Sequence, residues 1–278
     1  MKHSRIASLI KTPTFLVKEY FHRRPRRGYR SDFVQGENKS LAASYAGVLQ
    51  RDGIVILPNY FLPEKLKEFR SAFENATRDR SNKYSPDSFY NDDILPVDPV
   101  FADAAVNNFL LEIIGTYFQR PFGLAIAAAT RLLPTPPVRQ GSYRWHHDAR
   151  GRQINLMIFL SDVTAKGQRM SYLRASHNQY YGYYRGVAFP MFDGEMLSSS
   201  NDRVIEAVGP AGTVALFDSN GLHSGNRNDV EVRDTLNINY VTARRHFKKL
   251  SCRRSDLLAL SGERREVVTS NPRLQLLD

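Results

Sequence analysis

The spacing of hydrophobic and polar positions changes character partway along the chain. In the first part, apolar residues recur at helical intervals: Leu62, Leu66, Phe69 and Phe73 stand three or four apart with charges between them. Leu41–Gln50 is helix-compatible, Asp52-Gly53 is a turn pair, and Ile54-Val55-Ile56-Leu57 is a short β-branched run. Pro63 suits the first turn of the helix that follows. Residues 79–100, rich in Ser, Asn, Asp and Pro, read as a long connection, and Phe101–Phe118 as a further helix ending near Pro121. From about Phe122 onward, short apolar segments alternate with turn residues. Strands are predicted at Leu124–Leu133, Ser142–Asp148, Gln153–Leu160, Gly212–Asp218 and Thr235–Thr242. Gln153–Leu160 is largely apolar on both faces, as a strand covered on both sides must be. The pattern predicts an α+β fold, mainly β: a jelly-roll core with N-terminal helices packed on its outside.

Length and composition narrow this picture. A chain of 278 residues can bury one large core, and the expected division is a basic N-terminal extension (1–40), one domain (41–243) and a basic C-terminal extension (244–278). No run approaches the ~18 apolar residues of a spanning helix, and the patch Ile6–Ile10 is too short for a secretory signal. A single cysteine, Cys252, excludes an intrachain disulfide framework and suits a reducing cytoplasm. The net charge of +11 belongs to the ends. Residues 1–30 hold nine Lys or Arg against Glu19 alone, and residues 243–278 hold nine against four acids, so the middle is slightly acidic. A basic nucleic-acid channel through the core is therefore not expected. The basic, partly apolar N-terminus instead fits peripheral contact with an anionic membrane surface.

Candidate chemistry centres on Arg144-Trp145-His146-His147-Asp148. Side chains two apart on a strand share a face, so His146 and Asp148 could grip one ion, with His147 pointing the other way. One more histidine would complete the two-histidine, one-carboxylate set of non-haem Fe(II) oxygenases. His3, His22 and His246 lie in basic segments, which leaves His177 and His223. His223 follows a predicted strand, in Gly221-Leu222-His223-Ser224-Gly225. Arg233 opens the next strand, where a guanidinium could hold a carboxylate by two parallel hydrogen bonds.

The arrangement His146-X-Asp148, His223, Arg233 resembles the Fe(II)- and 2-oxoglutarate-dependent oxygenases, and in detail the phytanoyl-CoA dioxygenase family. Asp52-Gly53-Ile54-Val55-Ile56-Leu57-Pro58 is similar to the family's opening "DGFVVLP" segment. Phe159-Leu160-Ser161-Asp162-Val163-Thr164 resembles its "aLdDvt" segment, and Arg174-Ala175-Ser176-His177 stands where the family has "PGSH". The likeness covers roughly residues 45–243. It departs at that last turn, which lacks Pro and Gly, and at Lys166–Leu173, where the family has "NGxL". The resemblance implies a double-stranded β-helix (cupin-like) core and an enzyme that couples Fe(II), 2-oxoglutarate and O2 to oxidation of a small organic, glycan- or lipid-related substrate. By it, His146, Asp148 and His223 bind iron, and Arg233 binds the distal carboxylate of 2-oxoglutarate. His147 becomes the intervening residue, tolerant of substitution. Retention of Asp148 favours hydroxylation over halogenation, because halogenating relatives replace that carboxylate.

Asn155 is expected to face the cavity beside 2-oxoglutarate, sharing a face with Gln153 and Met157. Arg144, Arg150 and Arg152 surround the motif and are candidates for selecting an anionic or carrier-linked substrate, with a solvated loop as the plainer reading. Tyr180, within the run to Tyr184, leads into a Gly- and Ser-containing segment suited to a lid. His177 is expected to stabilise its turn rather than bind metal, and the parity of Arg131 leaves its direction open. The rival class is a metal-binding cupin-like isomerase or binding protein, for which a keto-acid clamp at Arg233 has no use.

Overall fold

Helix α1 (Gly36–Asp52) forms where Ala42, Ala46 and Leu49 fall on one face, and it ends where Gly53 takes a left-handed φ of 82° and returns its N–H to the Leu49 carbonyl. The computed structural model describes residues 24–78, 84–85, 87–137, 141–148, 153–178, 191–192, 202–242 and 247–278. Strand β1 (Ile54–Leu57) follows at once, then α2 (Pro63–Arg78), whose Leu66, Phe69, Ala72, Phe73 and Ala76 are buried. The predicted helix Phe101–Phe118 is two helices, α3 (Pro99–Ala105) and α4 (Asn108–Phe118). They separate at Asn107, whose carboxamide oxygen caps the Leu110 N–H at 3.2 Å and accepts from the Tyr60 hydroxyl at 2.7 Å.

The span read as a long connection contains strands β2 (Tyr84–Ser85) and β3 (Ser88–Asn91). Four residues of Ser-Phe-Tyr-Asn are too short a signal, and pairing with β4 (Gly123–Leu132) is what makes them a strand. The predicted strand Ser142–Asp148 is only β5 (Trp145–His146), preceded by a 3-10 turn at Gly141–Tyr143. The remaining elements are β6 (Gln153–Phe159), β7 (Met170–Leu173), β8 (Met191–Phe192), β9 (Val204–Ala207), β10 (Val214–Asp218), β11 (His223–Gly225) and β12 (Arg233–Val241). They form a seven-stranded sheet in the order β1-β10-β6-β12-β4-β3-β2 and a five-stranded sheet in the order β8-β5-β11-β7-β9, with antiparallel pairing throughout.

Strand parity divides the larger sheet into two faces. Ile154, Leu156 and Ile158 of β6, with Leu236, Ile238 and Tyr240 of β12, join the helices in the main core. Met157 and Phe159 turn the other way and pack with Met170 and Tyr172 of the smaller sheet. This explains why β6 is apolar on both faces. The chain after β12, expected as an extension, supplies β13 (Leu250–Arg253), α5 (Arg254–Ala259), α6 (Gly262–Thr269) and β14 (Leu274–Leu277). Its Leu250, Cys252, Leu257, Leu260, Val267 and Val268 are continuous with the main core. The expected N-terminal docking segment lies, up to residue 23, outside the described residues. Among the described residues no helix is long and apolar enough to cross a membrane.

Gly53 combines a left-handed backbone with close packing, since a Cβ there would collide with the Tyr172 hydroxyl and the His177 ring. Gly53→Ala is expected to cost about 2–3 kcal/mol of folding stability. Urea denaturation measures it, and a loss under about 0.5 kcal/mol would contradict the packing described.

Candidate active site

The two histidines meet across the smaller sheet because β5 and β11 pair antiparallel with His146 directly opposite His223. Opposed residues share a face, and their ring centroids lie 4.3 Å apart. Asp148 lies beyond the end of β5, where its N–H donates to the Ser219 carbonyl at 2.9 Å. Its Oδ1 lies 3.3 Å from His146 Nε2 and its Oδ2 lies 3.5 Å from His223 Nε2. All three ligand atoms fall within 4.8 Å of one another.

Hydrogen bonding on the far side of each ring decides what the near side offers. His146 Nδ1 is 2.7 Å from the Arg144 carbonyl and His223 Nδ1 is 2.9 Å from the Gly221 carbonyl. A carbonyl only accepts, so each Nδ1 carries the proton, and a neutral ring then presents its Nε2 lone pair to Asp148. Two lone pairs and a carboxylate converging on one point require a positive charge between them. Burial acts to raise the Asp148 carboxyl, but with the imidazoles protonated their charge and hydrogen bonds hold it well below the usual carboxylate range. Burial acts to lower His223, yet Asp148 leaves it raised overall. The field that would hold protons on the imidazoles equally favours a divalent cation. Donors about 2.1 Å from one ion and at right angles stand roughly 3 Å apart, close to the spacings found.

The triad opens into a cavity of about 330 Å³ between the sheets, shared with Tyr90, Tyr143, Asn155, Arg233 and Asn237. Arg233 donates from Nη1 to the Gln168 carbonyl at 2.6 Å, while its buried Nε has no hydrogen-bond partner. No acid among the described residues bridges to it. Burial pushes this guanidinium down to about 10, the Tyr143 hydroxyl opposes the shift and the Arg227 charge adds to it. A buried cation without a carboxylate partner suits an anionic ligand. Asn155 lines the same cavity, and its buried Oδ1 is likewise without a partner.

Other expected residues stand elsewhere. Arg144 contributes its carbonyl to His146, and its side chain is not part of the cavity wall. Arg150, Arg152, Tyr180 and the lid segment fall outside the described residues, apart from Met191–Phe192. Arg131 faces away from the cavity, paired with Asp234 at 2.8 Å and with Glu74. His147 is buried and does not line the cavity. His177 stabilises its turn as expected, with Nε2 3.2 Å from the Gln50 carbonyl.

The sequence reading missed Tyr90, Gln168 and Asn237. Asn237 was accessible by parity, four residues beyond Arg233 on β12. Tyr90 sits on a strand that only pairing reveals; burial, then Asp92 and Asp148, pushes its phenol up to about 12, so it stays protonated. Gln168 falls where the chain departs from the family pattern, and its Nε2 bonds the Leu132 carbonyl at 3.1 Å.

The chain resembles known proteins in sequence and in fold. Residues 124–231 match the phytanoyl-CoA dioxygenase (PhyH) family model. Ectoine dioxygenase of Stutzerimonas stutzeri (strain A1501) is 25% identical over 232 residues, covering 72% of this chain and 75% of its own. Among solved structures, the epimerase SnoN in complex with Fe3+, alpha ketoglutarate and nogalamycin RO has a TM-score of 0.61 at 16% identity, covering 74% of this chain and 85% of its own. EctD from S. alaskensis with 2-oxoglutarate and 5-hydroxyectoine has a TM-score of 0.61 at 19% identity, covering 81% of this chain and 85% of its own. The protein has the double-stranded β-helix fold of these solved structures. Its residues 124–231 resemble the phytanoyl-CoA dioxygenase family, and the likeness to ectoine dioxygenase extends over 72% of the chain.

His147→Gln is expected to keep divalent-metal affinity within about threefold, whereas His146→Ala lowers it at least ~100-fold. Anaerobic Mn(II) titration compares the two, and equal losses would contradict the assignment of faces.

Proposed function

We propose that the protein hydroxylates a compact, polar organic molecule, or the end of a glycan- or lipid-related one, with His146, Asp148 and His223 as iron ligands and Arg233 as the clamp for 2-oxoglutarate. One observation carries this reading: the imidazole–carboxylate–imidazole triad shares a single cavity with a buried guanidinium to which no described acid is paired. Fe(II), bound with 2-oxoglutarate and O2, supplies oxidation of a C–H bond with release of succinate and CO2. The protein's part is to orient and enclose. The two Nδ1–H···O=C bonds fix the ring orientations, so that His146, His223 and Asp148 would hold the iron on one side and leave its cavity side open to the co-substrate. Arg233 would receive the distal carboxylate by paired hydrogen bonds, and Asn155, which lines the same cavity, would hydrogen-bond the same molecule.

The volume of about 330 Å³ has to hold both the keto acid and the reacting part of the substrate, which supports a small substrate or a protruding end. Ser88, Tyr90, Ser142 and Tyr143 give the remaining wall neutral hydroxyls, suited to a substrate with its own hydrogen-bonding groups. The basic residues of 1–30 support peripheral contact of a cytoplasmic enzyme with an anionic membrane surface.

Purified protein with Fe(II), ascorbate and 2-oxoglutarate is expected to form succinate; no 2-oxoglutarate binding and no turnover would sink the proposal. Arg233→Met is expected to raise the KM for 2-oxoglutarate roughly 100-fold with metal affinity unchanged. An unaltered KM would favour the rival cupin-like binding protein. Removal of residues 1–23 is expected to abolish salt-sensitive binding to phosphatidylserine vesicles and to leave succinate formation intact; vesicle binding that survives would place the contact elsewhere.

A further inference from the structure

We infer that Asp218 is a positioning residue for the metal centre, acting through the turn that it begins. The inference rests on the assignment of Asp148 and His223 as iron ligands. Asp218 closes β10, is 3% exposed and does not line the cavity, although its charge acts on His223. Its Oδ2 accepts from the Tyr117 hydroxyl of α4 at 2.6 Å, and its Oδ1 accepts from the Asn220 N–H at 2.8 Å. Its carbonyl accepts from the Tyr172 hydroxyl at 2.9 Å and from the Gly221 N–H at 3.0 Å, while its own N–H donates to the Gly53 carbonyl at 2.9 Å. Each polar group of the residue is committed, so the turn 218–221 is held in one conformation.

Two carbonyls leave that turn toward two different ligands. Ser219 receives the Asp148 N–H at 2.9 Å, and Gly221 receives His223 Nδ1–H at 2.9 Å. The placement of the carboxylate that follows β5 and the orientation of the imidazole that begins β11 thus share one origin. The motif Arg174–His177 acts as an outer buttress: the His177 carbonyl accepts from the Asn220 amide at 2.9 Å, and the Ser176 hydroxyl accepts from the Leu222 N–H at 2.8 Å. Gly221 is enclosed on the inner side, where a Cβ would collide with the Tyr172 hydroxyl. The Tyr172 ring in turn lies within 14° of parallel to the His223 ring, with centroids 6.5 Å apart. The carboxylate accepts from both partners of its side chain; asparagine would keep the volume but, with its oxygen on the Asn220 N–H, would oblige the Tyr117 hydroxyl to turn round and accept, losing a charge-assisted hydrogen bond.

The test is anaerobic Mn(II) titration of the full chain, with thermal unfolding of the metal-free protein and the charge-transfer absorption of the Fe(II)–2-oxoglutarate complex as second and third readouts. Asp218→Asn and Tyr117→Phe are each expected to weaken Mn(II) binding about 10-fold or more and to shift that absorption. Tyr240→Phe is the control: it deletes another buried phenol, which donates to the Ala105 carbonyl at 2.6 Å on the helix side of the larger sheet. It is expected to lower thermal stability with Mn(II) affinity unchanged. Unchanged Mn(II) affinity in both Tyr117→Phe and Asp218→Asn, with the wild type binding normally, overturns the inference about Asp218 alone. A wild type that does not bind Mn(II), or a His223→Ala variant that binds it equally well, overturns the ligand assignment itself.

Discussion

The structure depends on one electrostatic demand: a carboxylate and two imidazole nitrogens converge between two sheets, where like-signed lone pairs repel. That convergence is built from backbone rather than from long-range charge pairs. Antiparallel pairing sets His146 opposite His223, a backbone hydrogen bond ties Asp148 to the turn after β10, and carbonyl acceptors turn both rings the same way. A cation would balance what these constraints leave, which is why the triad suits a metal ion.

The two sheets make room for such a site by dividing the apolar residues between two cores. The helices cover one face of the larger sheet with a continuous aliphatic and aromatic layer, and a smaller cluster of Met157, Phe159, Met170, Tyr172 and Phe217 fills part of the space between the sheets. The space left over is the cavity, to whose wall β12 contributes the polar residues Arg233 and Asn237. A rigid apolar layer behind the wall allows polar groups in front of it to remain only partly satisfied, ready for a ligand.

Three arginines near this region show how much the surroundings decide. Arg131 forms a bidentate bridge to Asp234 and packs over Phe73, outside the cavity. Arg227 is fully buried, yet it is bound to the Gln168 side chain and the Asp87 carbonyl and stacks on Tyr143. Arg233 alone of the three lines the cavity without a described acid beside it. Nothing in residue type separates them; their strand faces and neighbours do.

Much of this was legible in the sequence. Periodicity located α1, α2 and the long strands β4, β6, β10 and β12 to within a few residues, because long amphipathic or two-faced segments declare their own period. The spacing of His146, Asp148, His223 and Arg233, taken with the family resemblance, pointed to the groups that the fold brings together. What the sequence by itself determined was the chemistry available and the faces on which it would lie. Only the tertiary structure decided that Ser88–Asn91 is a strand, that the chain after β12 completes the core, that Arg131 turns away, that Tyr90 lines the cavity, that the Gln168 carbonyl meets Arg233 and that Asp218 meets Tyr117. Each of these depends on a partner distant in the chain, and a local pattern carries no information about which residue will stand opposite.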